Sequence, residues 1–463
     1  MGKASRRKRE RRQQKRTRPA TAEGTGKSDS LNQEAEHESV SSELQLVIET
    51  ESGELFARRV AQATALARSD DDPDTGPAAE ATVRSAAAFW GLPDFVLLPS
   101  VRRVGSGTRE ISDSLIVSEN LGAVLQVKSR NDVSDDPEKE RRWIAKAIRR
   151  AVGQGDGTIR YLKTATLVAN NVRGRQVTLH GSTLSWLNVV IIDHDCVPFD
   201  VVSPAAAREP TVVLLRRDWE FLFEQLCSVK SVLDYIARVA SKESPPPLGN
   251  EAMRYYKLAA ADAQAHPREP DPRVVRNGTH LSTPLLPREP QGYPSAPADL
   301  MYRILLEDIA RSPIEAPINE WDRIAVLSRV DSLPVGIRRE LGALLIEMLK
   351  YVMHVKDDEI RWRMRSYRWV DDFPHLGFVA CSKLTEDTKE GFRRWVILRH
   401  HELCNDAGSE VDTVAVLLTP RHDGVRPWDT TMIAVSGWLT LEDDDIDAMV
   451  TLWGRYGERQ GHG

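Results

Sequence analysis

Two short runs set polar side chains into otherwise apolar sequence: Ser112-Asp113-Ser114-Leu115-Ile116-Val117 and Ala123-Val124-Leu125-Gln126-Val127-Lys128. They read as neighbouring strands over 110–118 and 122–128, joined by a turn at Glu119-Asn120. Alternation puts Gln126 and Lys128 on one face and Leu125 and Val127 on the other. A charged Lys128 at the end of a buried strand needs a polar partner, because an unpaired charge inside a core is very costly. Asp113 on the adjacent strand is the obvious one. These residue types suit phosphodiester hydrolysis with a hard cation. Mg²⁺, or Mn²⁺ in its place, takes oxygen ligands, keeps several waters and binds substrate phosphate. Asp113 offers the main carboxylate and Gln126 a neutral amide oxygen. The metal would lower the pKa of a bound water. Lys128 would orient or help deprotonate that water, or stabilise the charge that develops on phosphate. Glu110 competes for the carboxylate role, but it falls on the opposite face of a regular strand from Asp113. The bland alternative is an ordinary ion pair between Asp113 and Lys128.

The surrounding elements must hold these groups in place. A helix is predicted over 78–90, with Val83, Ala86, Ala87 and Trp90 on one face, ended by Gly91-Leu92-Pro93. A strand follows over 95–103. After the second polar run, Asp136-Pro137-Glu138 is a helix start: an Asp cap, Pro at the first position and acids in the first turn. That helix runs to about 152 and is expected to break or resume around Gly153-Gln154-Gly155. Strands are predicted near 164–169, 187–193 and 211–215, and a helix over 217–240. Upstream, 54–69 reads as a short amphipathic helix.

The order of helix, three strands, helix and strand around Asp113, Gln126 and Lys128 resembles the PD-(D/E)xK nuclease superfamily, in particular its Mrr-type restriction endonuclease branch, over roughly residues 78–195. By this resemblance Asp113 stands at the metal-binding Asp, Gln126 at the variable second ligand and Lys128 at the invariant Lys. Glu80 matches the helical Glu that many members add to the catalytic and metal site, and Gln154 is a further candidate, like the helical Gln of some members. The departure is Gln126, where most members carry Asp or Glu, so the site has one negative charge fewer. The implied fold class is α/β: a restriction-endonuclease-like α-β-β-β-α-β core around a mixed central sheet, with a second, smaller α/β or α+β domain. The implied function is a metal-dependent nuclease acting on DNA more readily than RNA. The rival is a noncatalytic nucleic-acid-binding or interaction module on a degenerate nuclease fold.

At 463 residues and 41% apolar content the chain can hold more than one cored domain. Four segments are expected: a disordered basic tail (1–53), the nuclease-like domain (54–240), a Pro-rich linker (241–297) with a short helix at 251–262, and a C-terminal domain (298–463) of unassigned role. The C-terminal block should contain helices at 298–311, 336–355 and 385–404, and strands near 374–381, 411–418 and 431–436. The first eighteen residues hold ten Lys/Arg against the single acid Glu10, while the whole chain has a net charge of −5. A basic arm is thus attached to an acidic body. Arg6, Arg7, Lys8, Arg9, Arg11 and Arg12 are candidates for contact with nucleic-acid phosphates. So are Lys139, Arg142, Lys146, Arg149 and Arg150 along the 137–152 helix, against the plain reading of a solvated face. No apolar segment follows the tail and no run is long enough to span a bilayer. With Cys196, Cys227, Cys381 and Cys404 far apart, a cytoplasmic chain with reduced thiols is expected. A homodimer is left open. His194-Asp195-Cys196 and His400-His401-Glu402-Leu403-Cys404 lack zinc spacing and read as satisfied core or surface residues.

Overall fold

In the computed structural model, which describes residues 43–49, 53, 55–61, 75–98, 101–104, 107–110, 112–199, 201, 207–240, 245–264, 296–314, 316–353, 355, 359–368, 374–421 and 426–457, the chain first forms a hairpin. Strand β1 (Glu43–Glu49) pairs antiparallel with β2 (Leu55–Ala61), Ile48 opposite Phe56. This corrects two expectations: 43–49 is a strand and not tail, and 55–61 is a strand and not part of a helix over 54–69. The period-two pattern decides it. Leu46, Ile48 and Phe56 are buried while Val47 and Leu55 are exposed, which is the alternation of a half-buried strand pair. The basic residues 3–18 lie outside the described residues.

Helix α1 (Thr75–Trp90) and a short 3₁₀ turn lead into β3 (Val96–Leu97). The strand expected over 95–103 is split, because β4 (Val101–Val104) leaves the sheet to pair with β5 (Gly107–Glu110) as a separate hairpin. The chain returns as β6 (Ser114–Val117) and β7 (Leu121–Ser129). Helix α2 (Pro137–Leu162) follows, capped by Asp136, whose side chain accepts from the Glu138 amide, with Pro137 in the first turn. It does not break at Gly153 and Gly155. A hairpin of β8 (Thr166–Asn170) and β9 (Gln176–His180), of which β9 was not anticipated, precedes β10 (Ser185–Asp193) and β11 (Thr211–Leu215). The helix expected over 217–240 is two: α3 (Arg216–Leu226) and α4 (Val229–Ala240), separated where Cys227 adopts φ 48°.

These strands form a mixed five-stranded sheet in the order β11-β10-β7-β6-β3. The β3–β6 and β6–β7 pairs are antiparallel, and β10 is parallel to both β7 and β11. The β7–α2–β10 crossover is what a parallel pair requires, since such strands cannot be joined by a tight turn. Leu125, Val127, Val189 and Ile191 join the core that holds Val83 and Ala87 of α1 and Trp219 of α3. Val190 and Ile192 pack with Ile144, Ile148 and Ala151 of α2.

Helix α5 (Glu251–Gln264) occupies the position of the expected short helix. Then come α6 (Ala296–Arg311), α7 (Glu320–Asp331), absent from the sequence reading, and α8 (Val335–Met353). A second mixed sheet has the order β12-β13-β14-β15, formed by β12 (Trp362–Tyr367), β13 (His375–Cys381), β14 (Asp412–Pro420) and β15 (Trp428–Ser436). Helix α9 (Glu386–Ala407) links β13 to its parallel neighbour β14, and α10 (Asp443–Gly457) closes the described chain. The whole is a mixed α/β protein. Among the described residues no helix is long and apolar enough to cross a membrane.

Candidate functional site

The candidate site lies where the β6–β7 pair ends. Ser114 faces Leu125 in the antiparallel register, so Asp113, one residue before β6, comes opposite Gln126. Asp113 Oδ2 accepts a hydrogen bond from the Val127 amide at 2.6 Å. The Lys128 ammonium stands 3.7 Å from the same oxygen and donates to the Val127 carbonyl at 2.9 Å. Asp113 and Lys128 are part-buried, at 17% and 23% side-chain exposure, so both still meet solvent. Gln126 is buried. In register with Val190 and beside Ile192, Gln126 and Lys128 belong to the sheet face covered by α2.

Helix α1 brings the remaining groups. Arg84 donates to the Asp113 carbonyl at 3.2 Å, and its other reach is to Glu80, one turn earlier, at 3.9 Å. Glu80 is therefore carried to the Asp113 end of the sheet through Arg84. Arg84 itself was missed in the sequence, although its i,i+4 spacing from Glu80 was visible. The docking of α1 against β7, which gives that spacing its meaning, was not. Two ion pairs lie at this end of the sheet, Glu80 with Arg84 on α1 and Asp113 with Lys128 on the strands, so their charges sum to zero.

Gln154 sits on α2, one residue before Gly155. Its Oε1 is buried with no hydrogen-bond partner among the described residues. Lys139, Arg142, Lys146, Arg149 and Arg150 are all exposed. Among the described residues none of the five meets a carboxylate; Arg142 and Arg149 bond instead to the helix carbonyls of Glu138 and Ala145. The helix thus shows solvent a row of uncompensated cations. Residues Arg6 to Arg12 lie outside the described residues.

A second cluster, not anticipated, fixes the start of α2 to the ends of β7 and β10. Glu140 is buried and accepts from Arg130 Nε and Nη2 at 3.0 and 2.9 Å and from the Ser134 amide at 2.9 Å; His194 Nε2 lies 3.0 Å from it. The Arg130 guanidinium, helped by His194 and the Ser134 amide, pulls the Glu140 carboxyl down to about 2. Arg130 also lies over the Trp143 ring, 5.2 Å from its centroid. His194 is thus a core histidine, as expected. His400 behaves likewise, its two nitrogens lying 3.0 Å from Thr413 Oγ1 and 2.8 Å from the Gly437 carbonyl.

Among the described residues no three His, Cys, Asp or Glu side chains gather as a metal-holding group. The candidate donors, the Asp113 carboxylate, the Gln126 amide and the Glu80 carboxylate, are all oxygen, the atom type that Mg²⁺ takes; Gln126 lies on the face covered by α2, and Glu80 rides on α1, which packs against the Leu125 and Val127 face. Comparison with family models, with curated proteins and with solved structures returns no match to this chain.

Proposed function

We propose that this chain is a Mg²⁺-dependent nuclease, acting on DNA within the cytoplasm, on a restriction-endonuclease-like core. The observation that carries the reading is the meeting of Asp113 and Lys128 at 3.7 Å, at the end of the β11-β10-β7-β6-β3 sheet. The topology from α1 to β10 is helix, antiparallel strands, helix and parallel strand, the order that the resemblance implies. Asp113, Gln126 and Glu80 would hold the metal, which supplies Lewis acidity and a bound water of lowered pKa. The Val127 amide fixes the Asp113 carboxylate, so one oxygen is oriented before substrate arrives. Lys128, held by a backbone carbonyl, presents its remaining N–H groups to an attacking water or to a phosphate oxygen whose charge grows in the transition state. The exposed cations of α2 would track the phosphate backbone.

One observation favours the noncatalytic rival. Arg84 and Lys128 balance the charges of Glu80 and Asp113, and a neutral site draws a divalent cation less strongly than an acidic one. Titration calorimetry with Mg²⁺ and Mn²⁺, followed by nicking of supercoiled plasmid, separates the two. Metal-dependent nicking that Asp113→Ala abolishes together with metal binding is the expected result. A chain that binds no divalent metal and nicks nothing is the noncatalytic module.

A further inference from the structure

The second sheet ends in an edge strand of unusual composition. Residues 361–368 read Arg-Trp-Arg-Met-Arg-Ser-Tyr-Arg, four arginines with no acid among them, in a chain whose net charge is −5. Among the described residues strand β12 pairs only with β13, at the edge of the sheet. Trp362 and Met364 pack toward Phe392 and Trp395 beneath α9. Alternation therefore puts Arg361, Arg363 and Arg365 together on the opposite face. Tyr351, in the last turn of α8, meets Arg361 and Arg363 there. The Arg361 and Arg363 guanidinium carbons lie 5.9 and 5.5 Å from the Tyr351 ring centroid. The phenol nevertheless remains 45% exposed.

Charged residues on an edge strand commonly serve to block strand-to-strand aggregation. That role does not require two guanidiniums over one tyrosine. Bringing them together sets like charges close, and Glu359 meets one of them, Arg361, at 2.8 Å. Arg363 meets no carboxylate among the described residues. Two clustered cations beside an accessible aromatic ring suit a polyanion that also carries flat rings. Arginines two apart on a strand are spaced about 6.7 Å, close to the phosphate repeat of an extended nucleic-acid strand. Bases of a duplex hide their faces in the stack, whereas an unpaired strand can lay them on aromatic rings or guanidinium planes.

We propose that Tyr351, Arg361, Arg363 and Arg365 form a binding surface for single-stranded nucleic acid, with the arginines on phosphates and the Tyr351 ring against a base. This surface is distinct from the Asp113–Lys128 site and does not depend on cleavage there.

The test is fluorescence anisotropy of the full chain with a labelled oligothymidylate, an oligouridylate and a DNA duplex, each over a salt series in EDTA. The Arg361→Ala/Arg363→Ala variant should bind both single strands about tenfold more weakly, with a salt slope smaller by about 1.4 for two lost phosphate contacts. Tyr351→Leu should weaken them roughly five- to a hundredfold with the slope unchanged, since it removes stacking and no charge. Duplex affinity should stay the same in both variants. The oligothymidylate and oligouridylate arms tell whether DNA or RNA is preferred. Unchanged single-strand affinity in both variants overturns the proposal, and so does an equal loss for duplex, which marks a generic electrostatic patch. Should the double variant fail to fold, photocrosslinking of a bromouridine oligonucleotide to the wild-type chain decides: adducts at Tyr351 or within 361–368 support the surface, and adducts confined elsewhere overturn it.

Discussion

Lys128 stands farther from Asp113 than a hydrogen bond, at 3.7 Å, and spends one N–H on a backbone carbonyl at 2.9 Å. Asp113 in turn is fixed by an amide rather than by the lysine. Lys128→Ala is therefore expected to cost little stability, because the Val127 amide still satisfies Asp113. It should lower plasmid nicking by about 10²–10³, the usual loss when one donor to a developing oxyanion is removed. Equal nicking by wild type and variant would show that the chemistry lies elsewhere. Gln126→Glu should tighten Mg²⁺ binding in calorimetry by restoring a carboxylate; weaker binding would show that Gln126 is no ligand. The pairing of Asp113 with Lys128 was legible because strand alternation alone brings them together. Arg84 was not, since its role comes from how a helix lies against a sheet, which no local spacing encodes. A different residue contributes a pH dependence. His375 is buried, its Nδ1 has no hydrogen-bond partner among the described residues, and burial, with Arg368, Arg399 and His400 nearby, depresses it to about 4. The unfolded chain takes up this proton near pH 6.5 and the folded chain only near 4. Stability should therefore hold above pH 6.5 and fall as pH drops from 6.5 toward 4, by up to about 3 kcal/mol. Denaturant unfolding of His375→Asn across that range should lack this part of the slope; an identical slope would remove His375 as its source.

Helix α2 shows how an element can overrule its own residues. Gly153, Gly155 and Gly157 lie within it, and each glycine in a helix costs roughly 1 kcal/mol relative to alanine. The sequence therefore reads as a break. The helix continues because burial of Ile144, Ile148, Ile159 and Leu162 against the sheet outweighs that cost. Gly155 is also required by packing: a Cβ there would meet Asn188 Oδ1 of β10 at 2.0 Å. Asn188 in turn donates to the Val152 carbonyl at 3.2 Å, tying helix and strand at the point where the crossover passes over the sheet. Gly153 and Gly157 face open space. The three glycines should thus respond with opposite signs. Gly155→Ala should lower unfolding free energy by about 1–3 kcal/mol through overpacking. Gly153→Ala and Gly157→Ala should each raise it by about 0.4–1 kcal/mol by restricting the unfolded chain. Urea unfolding of the three variants checks this, and a uniform effect would show that helix propensity alone governs the segment. The same logic applies to strand β9 and helix α7, which the sequence does not announce. Both are short, and they pack against each other although they lie far apart in the chain.

Across the molecule, the boundary drawn in the sequence at the Pro-rich stretch is crossed by packing. A single hydrophobic core runs from Leu46 and Ile48 of β1, through the five-stranded sheet and α3–α4, to Met301, Leu345 and Val414. Charged groups follow the same route. Arg173, in the β8–β9 turn, bridges Asp94 at 2.7 Å and Glu307 of α6 at 3.0 Å; Arg303 reaches Glu307 at 3.2 Å, and Arg175 reaches Asp94 at 3.4 Å. Asp94 and Glu307 are fully buried, so each depends on its arginines to be tolerated inside the protein. Further on, Arg329 of α7 bonds Glu119 of the β6–β7 turn at 2.6 Å, which ties the strand pair carrying Asp113 to the C-terminal half. The net worth of such buried networks is small, but removing one partner strands the others, at about 3–5 kcal/mol. Glu307→Ala leaves Arg303 without its carboxylate at the junction and Arg173 with Asp94 alone. With one shared core, that loss should lower the midpoint of the whole protein rather than release one half. Scanning calorimetry should therefore give a single transition for the wild-type chain and a single, lower one for Glu307→Ala. If the variant instead splits into two transitions, with the half that carries Asp113 and Lys128 melting at its original temperature, then the core is divisible and residues 54–240 fold without the rest.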